Sequence, residues 1–331
     1  MAISIYNGTN GNDLKTATGS QYYDQWWMSG KLGNDTLVGG YQSDTIYGNE
    51  NSDKITGKEG NDYLFGGASD DYVAGDSGDD YIDGGDNSAA IDNGNDTLLG
   101  DIGNDYIRGR AGNDSIDGGS GNDYLMGELN NDTIVGGNEN DTIGGGAGND
   151  LIDGGSGSDY LVGENDNDTI VGGNENDTIG GGAGNDLIDG GSGNDYLVGE
   201  LNNDTIVGGD NNDTLIGVAA GVNPGMNEVD VLTGGNGADL FVLGDSQNFY
   251  YNGDLVNGYA AVNGFDALDV ILLHGSITDY KFNIVGSDLQ IVLAANPSEL
   301  IGVVVGIVSQ SANNAANAAV ANSVLRSFDF V

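Results

Sequence analysis

Gly145-Gly146-Ala147-Gly148-Asn149-Asp150-Leu151-Ile152-Asp153 is followed at once by Gly154-Gly155-Ser156-Gly157-Ser158-Asp159-Tyr160-Leu161-Val162. The two stretches share one nine-residue grammar. Glycines and Asn permit positive φ and tight bends, so the first six residues of each read as a turn. The last three, such as Leu151-Ile152-Asp153, read as a short strand with Ile152 on one face and its neighbours on the other. One unit cannot bury its Ile alone. Two units make a flattened coil with a turn at each edge, and stacked coils bury the apolar ladder while pairing every strand in parallel.

The grammar runs through most of the chain of 331 residues. Asp recurs every nine residues at Asp35, Asp44, Asp53, Asp62, Asp71 and Asp80. It resumes at Asp96 and continues through Asp105, Asp114, Asp123, Asp132, Asp141, Asp150, Asp159, Asp168, Asp177, Asp186, Asp195, Asp204 and Asp213, with Asp230 and Asp239 after a second interruption. Two residues after each Asp stands an apolar side chain. Five residues before each stands Gly, except that Ile91 precedes Asp96. A longer period overlies this one. Residues 141–176 and 177–212 differ only at Ser158/Asn194, Asn165/Leu201, Asp166/Asn202, Asn174/Asp210 and Glu175/Asn211, which marks a duplicated four-unit block.

Stacking dictates the chemistry. Asp residues eighteen apart, such as Asp150, Asp168 and Asp186, fall in one column, and Asp141, Asp159 and Asp177 in the other. Neighbours ~4.8 Å apart would repel by roughly 3 kcal/mol at an effective dielectric of ~20. A dozen such pairs outweigh the whole stability of a typical domain, about 5–15 kcal/mol. A cation must lie between the coils, and from Ala111 to Tyr280 the chain has no Lys or Arg. Carboxylates and loop carbonyls are hard oxygen donors, offered six or more at a time by flexible loops, which suits Ca²⁺ better than Mg²⁺.

Composition narrows the partners. Lys+Arg is 8 against Asp+Glu 52, a formal net charge of −44. That excludes nucleic acid bound by simple charge attraction and disfavours an anionic membrane surface. With Cys 0 and His 1 there is no thiolate site, no disulfide frame and no basis for a zinc or copper centre. The start, Met1-Ala2-Ile3-Ser4-Ile5-Tyr6, is not a Sec-type signal peptide. The longest apolar run, 300–308, is too short to span a bilayer as a helix, so no membrane span is expected.

The pattern Gly-Gly-x-Gly-x-Asp-x-apolar-x, fitted at every position by residues 154–162 and 190–198, resembles the RTX or hemolysin-type calcium-binding nonapeptide. The resemblance implies an all-β fold, a parallel β-roll with Ca²⁺ between successive loops on each edge. By that resemblance the ligand carboxylates are Asp35, Asp62, Asp80, Asp96, Asp105, Asp114, Asp123, Asp132, Asp141, Asp150, Asp159, Asp168, Asp177, Asp186, Asp195, Asp204, Asp213 and Asp239. Loop carbonyls of Gly112, Gly121, Gly148, Gly157, Gly184 and Gly193 complete the shells. Units at Asp132, Asp141, Asp168, Asp177, Asp204 and Asp213 lack the glycine two residues before the Asp, so altered sites are expected there, and the units at Asp44, Asp53 and Asp71 are degenerate.

The expected organisation is an N-terminal aromatic cap (residues 1–29), a roll (30–241, with insertions near 84–92 and 217–229) and a small β-rich capping and secretion domain (242–331). In the last region Tyr280–Val285 and Leu289–Leu293 read as a hairpin, 311–325 as a short helix and His274 as structural. Phe328-Asp329-Phe330-Val331 resembles the ending of type I secretion signals. Tyr22, Tyr23, Trp26 and Trp27 read as a cover for the first coil. Exposed Tyr, Val and Leu ladders on the strands offer lateral docking. No catalytic constellation is found, so an enzyme is not expected. The expected function is a secreted, calcium-ordered structural protein that associates with itself in a layer, fibre or matrix. The alternative is a calcium-dependent adhesin or polysaccharide-binding module, the polysaccharide being that of a cell surface; ice binding ranks below both because no continuous Thr column runs along the turns or strands.

Overall fold

The structure, a computed structural model, describes residues 3–17, 24–85, 94–218, 228–243, 259–265, 269–273, 280–285, 288–293, 300–304 and 328–330. The chain forms two compact units, Met1–Asn165 and Asp166–Val331. Each is a parallel β-solenoid, and about 11 turns are present in all. Among the described residues every regular element is a strand.

In the first unit the strands alternate between two sheets. One, the tyrosine sheet, begins with Ile3–Asn7 and Gln25–Leu32 and continues to Tyr124–Leu129, Thr142–Ala147 and Tyr160–Asn165. The opposite sheet begins with Leu14–Thr16 and Thr36–Val38 and continues to Thr133–Asn138 and Leu151–Ser156. Neighbouring strands are parallel with partners eighteen residues apart, as in Ile107↔Leu125 and Ile134↔Ile152. The second unit repeats this plan, with Ile188↔Ile206 and Leu197↔Leu215. The register lengthens to Val73↔Leu98 and to Ile206↔Leu232, where the two interruptions of the nine-residue period fall.

The core is the apolar residue two places after each Asp. Leu37, Ile46, Ile107, Leu125, Ile134 and Ile152 are 0% exposed in the first unit, as are Ile170, Ile188, Leu197 and Phe241 in the second. The strands are longer than the sequence suggests. Leu151-Ile152-Asp153 was expected to be the whole strand, but it runs Leu151–Ser156. The physical reason is main-chain pairing: Gly155 aligns with Gly137 and Ser156 with Asn138, so the ladder continues through the glycines and the turn shrinks.

The ends depart from the repeat. In the first coil Lys15 stands opposite Leu37 in the core register, with its Nζ 4.3 Å from the centre of the Trp26 ring. Trp26 is buried and Trp27 is 40% exposed, while Tyr22 and Tyr23 lie outside the described residues. Near the C-terminus Tyr280–Val285 and Asp288–Leu293 pair antiparallel, as the expected hairpin, and Leu300–Val304 adds to it. Phe328–Phe330 pairs in parallel with Val270–Leu273. His274 and the expected helix at 311–325 lie outside the described residues.

Candidate metal columns

The loop aspartates are buried, which the turn position alone would not predict. Asp62, Asp105, Asp132 and Asp141 are 1–2% exposed in the first unit, and Asp186, Asp195, Asp204 and Asp213 are likewise 1–2% exposed in the second. Each carboxylate has two different oxygens. Oδ1 is held by the neighbouring coil: the Asp114 N–H donates to Asp132 Oδ1 at 2.8 Å, Asp123 to Asp141 at 2.8 Å, and Asp186 to Asp204 at 2.9 Å. Every column is therefore a chain of main-chain donors and side-chain acceptors, and this bond goes unseen in a reading of the carboxylates as mutually repelling alone.

Oδ2 is the informative atom. In Asp35, Asp53, Asp62, Asp80, Asp105, Asp123, Asp132 and Asp141 it is buried without a hydrogen-bond partner, and the same holds for Asp186, Asp195, Asp204 and Asp213. Unsatisfied buried carboxylate oxygens are costly unless a cation or donor meets them. Asp44, in a degenerate unit, differs: its Oδ2 accepts the Gly40 N–H at 2.8 Å. Asp53, from another degenerate unit, keeps the orphaned atom.

The loops bring further oxygens to the same place. A Cβ on Gly127 would lie 2.2 Å from Asp132 Oδ2 and 2.6 Å from the Gly145 carbonyl oxygen. On Gly181 it would lie 2.5 Å from Asp186 Oδ2 and 2.7 Å from the Gly199 carbonyl. The glycine five residues before each Asp is thus the floor of a cradle of hard oxygen donors. Where the nine-residue spacing puts Ile91 before Asp96, the structure puts Gly84, whose Cβ would lie 2.4 Å from Asp96 Oδ2. The interruption is inserted between the glycine and its aspartate.

Electrostatics give the same reading. Burial pushes the carboxyls of Asp62, Asp132 and Asp204 up to about 8 and those of Asp53, Asp105, Asp141 and Asp213 up to about 7. The main-chain N–H bond on Oδ1 pulls down in each case, and neighbouring carboxylates add to the rise. Without a counter-ion the columns cannot hold all their charge near neutral pH.

These residues fit Ca²⁺: orphaned carboxylate oxygens and loop carbonyls are its preferred donors. Among the described residues no group of three or more His, Cys, Asp or Glu side chains converges. Main-chain carbonyls therefore have to supply much of any shell. The glycines expected to do so sit where coils touch. Gly112, Gly121, Gly148, Gly157 and Gly193 have φ between +127° and +154°. A Cβ on Gly112 would lie 1.5 Å from the Gly94 carbonyl oxygen and one on Gly193 1.6 Å from that of Glu175. On Gly184 it would lie 1.7 Å from the Asp166 carbonyl. The glycine-poor units use a second loop form, with Asn130, Glu139, Asp166, Glu175, Asn202 and Asn211 in the left-handed region at φ 71–82°.

Three features escape the nine-residue count. Asp13 donates its N–H to Asp35 Oδ1 at 2.6 Å, and the Asp239 N–H donates to Asp269 Oδ1 at 3.0 Å, so both columns gain rungs. Asp269 follows the repeat's own rule, with Gly264 five before it and buried Ile271 two after it. The third is a second ladder outside the first. The Asn131 N–H donates to Asn113 Oδ1 at 3.0 Å, Asn149 to Asn131 at 2.8 Å, and Asn203 to Asn185 at 3.1 Å. These bonds run opposite in direction to those of the aspartates, so each rung is tied both ways.

The sequence pattern of the RTX calcium-binding nonapeptide repeat (4 copies) matches residues 29–64, 56–88, 91–125, 126–161, 162–197, 189–219 and 225–254. No curated protein matches the chain. With matches across the whole run of coils whose cradles carry the orphaned carboxylates, the chain belongs to the RTX calcium-binding nonapeptide repeat family.

Proposed function

We propose that this chain is a secreted, non-enzymatic structural protein. Its coils become ordered on Ca²⁺ outside the cell, and it then associates with itself in a surface layer, fibre or matrix. The observation that supports this most is the row of buried, orphaned Asp Oδ2 atoms in a stretch, Ala111 to Tyr280, without any Lys or Arg. Bound calcium supplies the missing positive charge. The chain's own part is to hold Oδ1 fixed by a main-chain donor, aim Oδ2 and the glycine carbonyls into the cradle, and exclude water with the apolar ladder. Where free Ca²⁺ is scarce the charged columns oppose folding; where it is plentiful, binding contributes folding free energy directly.

Proteins with RTX repeats are typically exported by type I secretion, and no helix among the described residues is long and apolar enough to cross a membrane. The adhesin reading draws less from the geometry. Tyr81 and Tyr106 stack at 5.3 Å and 5°, and Tyr106 and Tyr124 at 5.0 Å and 9°, so these rings cover each other's faces and do not present them to a sugar.

Circular dichroism of the full chain in chelator, then in added Ca²⁺, tests the calcium step, with a β spectrum expected only after calcium. Electron microscopy with and without chelator tests the assembly step. Filaments or sheets that vanish in chelator are expected, and a β spectrum indifferent to chelator refutes the proposal.

A further inference from the structure

The two aspartate columns start alike, and differently from the way they continue. Asp13 is the first rung of one column, its N–H donating to Asp35 Oδ1 at 2.6 Å. Asp44 is the first aspartate of the other. Its Oδ1 accepts the Trp26 N–H at 2.7 Å, where the N–H of a preceding aspartate would stand, and its own N–H donates to Asp62 Oδ1 at 2.7 Å. In both head rungs Oδ2 takes a main-chain donor from four residues earlier in its own loop. The Thr9 N–H donates to Asp13 Oδ2 at 2.6 Å, and the Gly40 N–H to Asp44 Oδ2 at 2.8 Å. The rungs that follow, Asp35 and Asp53 in one column and Asp62 and Asp80 in the other, leave Oδ2 buried without a hydrogen-bond partner.

Backbone shape separates the two loop forms. Four residues before Asp35, Asp53, Asp62, Asp80 and Asp105 stand Lys31, Asn49, Lys58, Asp76 and Asp101, all left-handed at φ 73–95°. Each is the last residue but one of its strand. Thr9 and Gly40 are not left-handed, and the strands before them, Ile3–Asn7 and Thr36–Val38, end short of them. Two residues before the aspartate the contrast repeats: Gly33, Asn51, Gly60 and Gly78 are left-handed, Gly11 and Gln42 are not.

The ladder explains the difference. Gly8 and Gly39 still donate across to the Ser29 and Thr56 carbonyls at 2.7 and 2.8 Å. The N–H that follows each has left the ladder, and the carboxylate of its own loop is the acceptor it meets. Left-handed backbone strains a non-glycine residue. The open loops at Asp35, Asp53 and Asp62 carry that strain beside an unmet oxygen, and the closed loops carry neither. Both closed loops keep the glycine five residues before the aspartate, Gly8 or Gly39, so the donor sets them apart and the glycine spacing does not.

We infer that the loops at Asp13 and Asp44 are metal-free end-stops. They close on protein donors alone, before calcium is bound, and calcium fills the columns from one rung further in, at Asp35 and Asp62. This rests on the calcium reading proposed above and says where along the chain calcium is not needed. Native mass spectrometry of the full chain in saturating Ca²⁺ counts the bound ions. Asp13→Asn and Asp44→Asn are expected to carry as many as the wild type, and Asp35→Asn and Asp62→Asn to carry fewer. If Asp13→Asn or Asp44→Asn loses ions as Asp62→Asn does, the end-stops are wrong while the calcium proposal stands. Asp44→Asn can set an amide nitrogen against the Gly40 N–H and unsettle the coil, so hydrogen exchange of the wild type repeats the test without a substitution. Between chelator and saturating Ca²⁺, the protection of segment 39–44 is expected to change by less than about twofold, and that of segment 199–204 to rise by about a hundredfold or more. Equal gains in the two segments overturn the end-stops. A wild type that binds no calcium and exchanges alike in both solutions overturns the calcium proposal, and the contrast between rungs falls with it.

Discussion

The coils up to Arg110 and those after it share one backbone and hold it together differently. Before Ala111 the chain brings its own cations and rings. Lys58 pairs with Asp76, Arg110 grips Asp83 through two bonds of 2.6 and 2.8 Å, and Lys54 lies 4.7 Å from the centre of the Tyr72 ring. Aromatic rings stack from rung to rung, with Tyr47 on Phe65 at 4.7 Å and Tyr81 on Tyr106 at 5.3 Å. After Ala111 there is no cation to pair with until Lys281, and tyrosines on the tyrosine sheet are separated by threonines. The same orphaned Oδ2 atoms occur in both regions. The difference teaches that the two share the same unmet column oxygens, while among the described residues the first has a larger reserve of other attractions.

The largest expected effect follows from removing calcium. Hydrogen exchange of the full chain in chelator is expected to show residues 141–212 exchanging close to the unfolded rate, with residues 45–110 retaining measurable protection. In saturating Ca²⁺ both regions are expected to be protected alike. Equal loss of protection in the two regions would show that the internal cations and stacked rings contribute nothing separable.

Breaking the reserve comes next. Arg110→Met leaves Asp83, which is fully buried, without its cation and with the Tyr81 hydroxyl still donating to its Oδ2 at 3.2 Å, so the loss is expected to fall at or below the low end of the roughly 3–5 kcal/mol that breaking a buried pair costs. The variant is expected to lose the residual protection of residues 81–110 in chelator while still folding when Ca²⁺ is added. Thermal unfolding in the two conditions measures it.

Substitutions in the columns sharpen the comparison further. Gly112→Ala puts a methyl where φ is +140° and a carbonyl oxygen stands 1.5 Å away, so strain of about 1–3 kcal/mol is expected with calcium present. Gly144→Ala has room and an ordinary φ, and about 0.5 kcal/mol of stabilisation is expected from the restricted unfolded chain. Asp132→Asn keeps an acceptor for the Asp114 N–H and removes one charge. Calcium titration of that variant is expected to show weaker binding together with a more stable metal-free state, because burial had pushed this carboxyl up to about 8. Unchanged calcium affinity would remove Asp132 from the metal shell.

Much of this was legible in advance because a nine-residue period fixes which atoms meet. The Asp columns, the core ladder from Leu37 to Phe241 and the parallel pairing all follow from Gly, Asp and an apolar residue at set spacings. What was missed broke the spacing while keeping the geometry. Asp13 is followed two places on by Lys15 and not by an apolar residue, yet it is tied to Asp35 like any other rung. Gly84 serves Asp96 across an insertion, and counting back nine-residue units could only reach Ile91. The asparagine ladders were in plain view at Asn113, Asn131 and Asn149, but a polar residue in a turn has too many ordinary reasons to be there for its partner to be deduced.

The smallest effect concerns Lys58 and its test is the most discriminating. Its ammonium bonds Asp76 one coil away, but the two side chains are 41% and 33% exposed. Pairs this open contribute about 0.2–1 kcal/mol and weaken with salt. Lys58→Met is therefore expected to lower stability by about 0.5 kcal/mol in chelator at low ionic strength, with the difference gone at high salt. Asp76 and Asp101 face each other across the next pair of coils, and burial first, then the Asp76 carboxylate, push the Asp101 carboxyl up. If Lys58 is what lets them coexist, Lys58→Met with Asp76→Asn recovers the loss. If instead calcium already neutralises that edge, the single variant is silent in Ca²⁺ and costly only in chelator, and the boundary between self-supplied and borrowed charge lies nearer the N-terminus than Arg110.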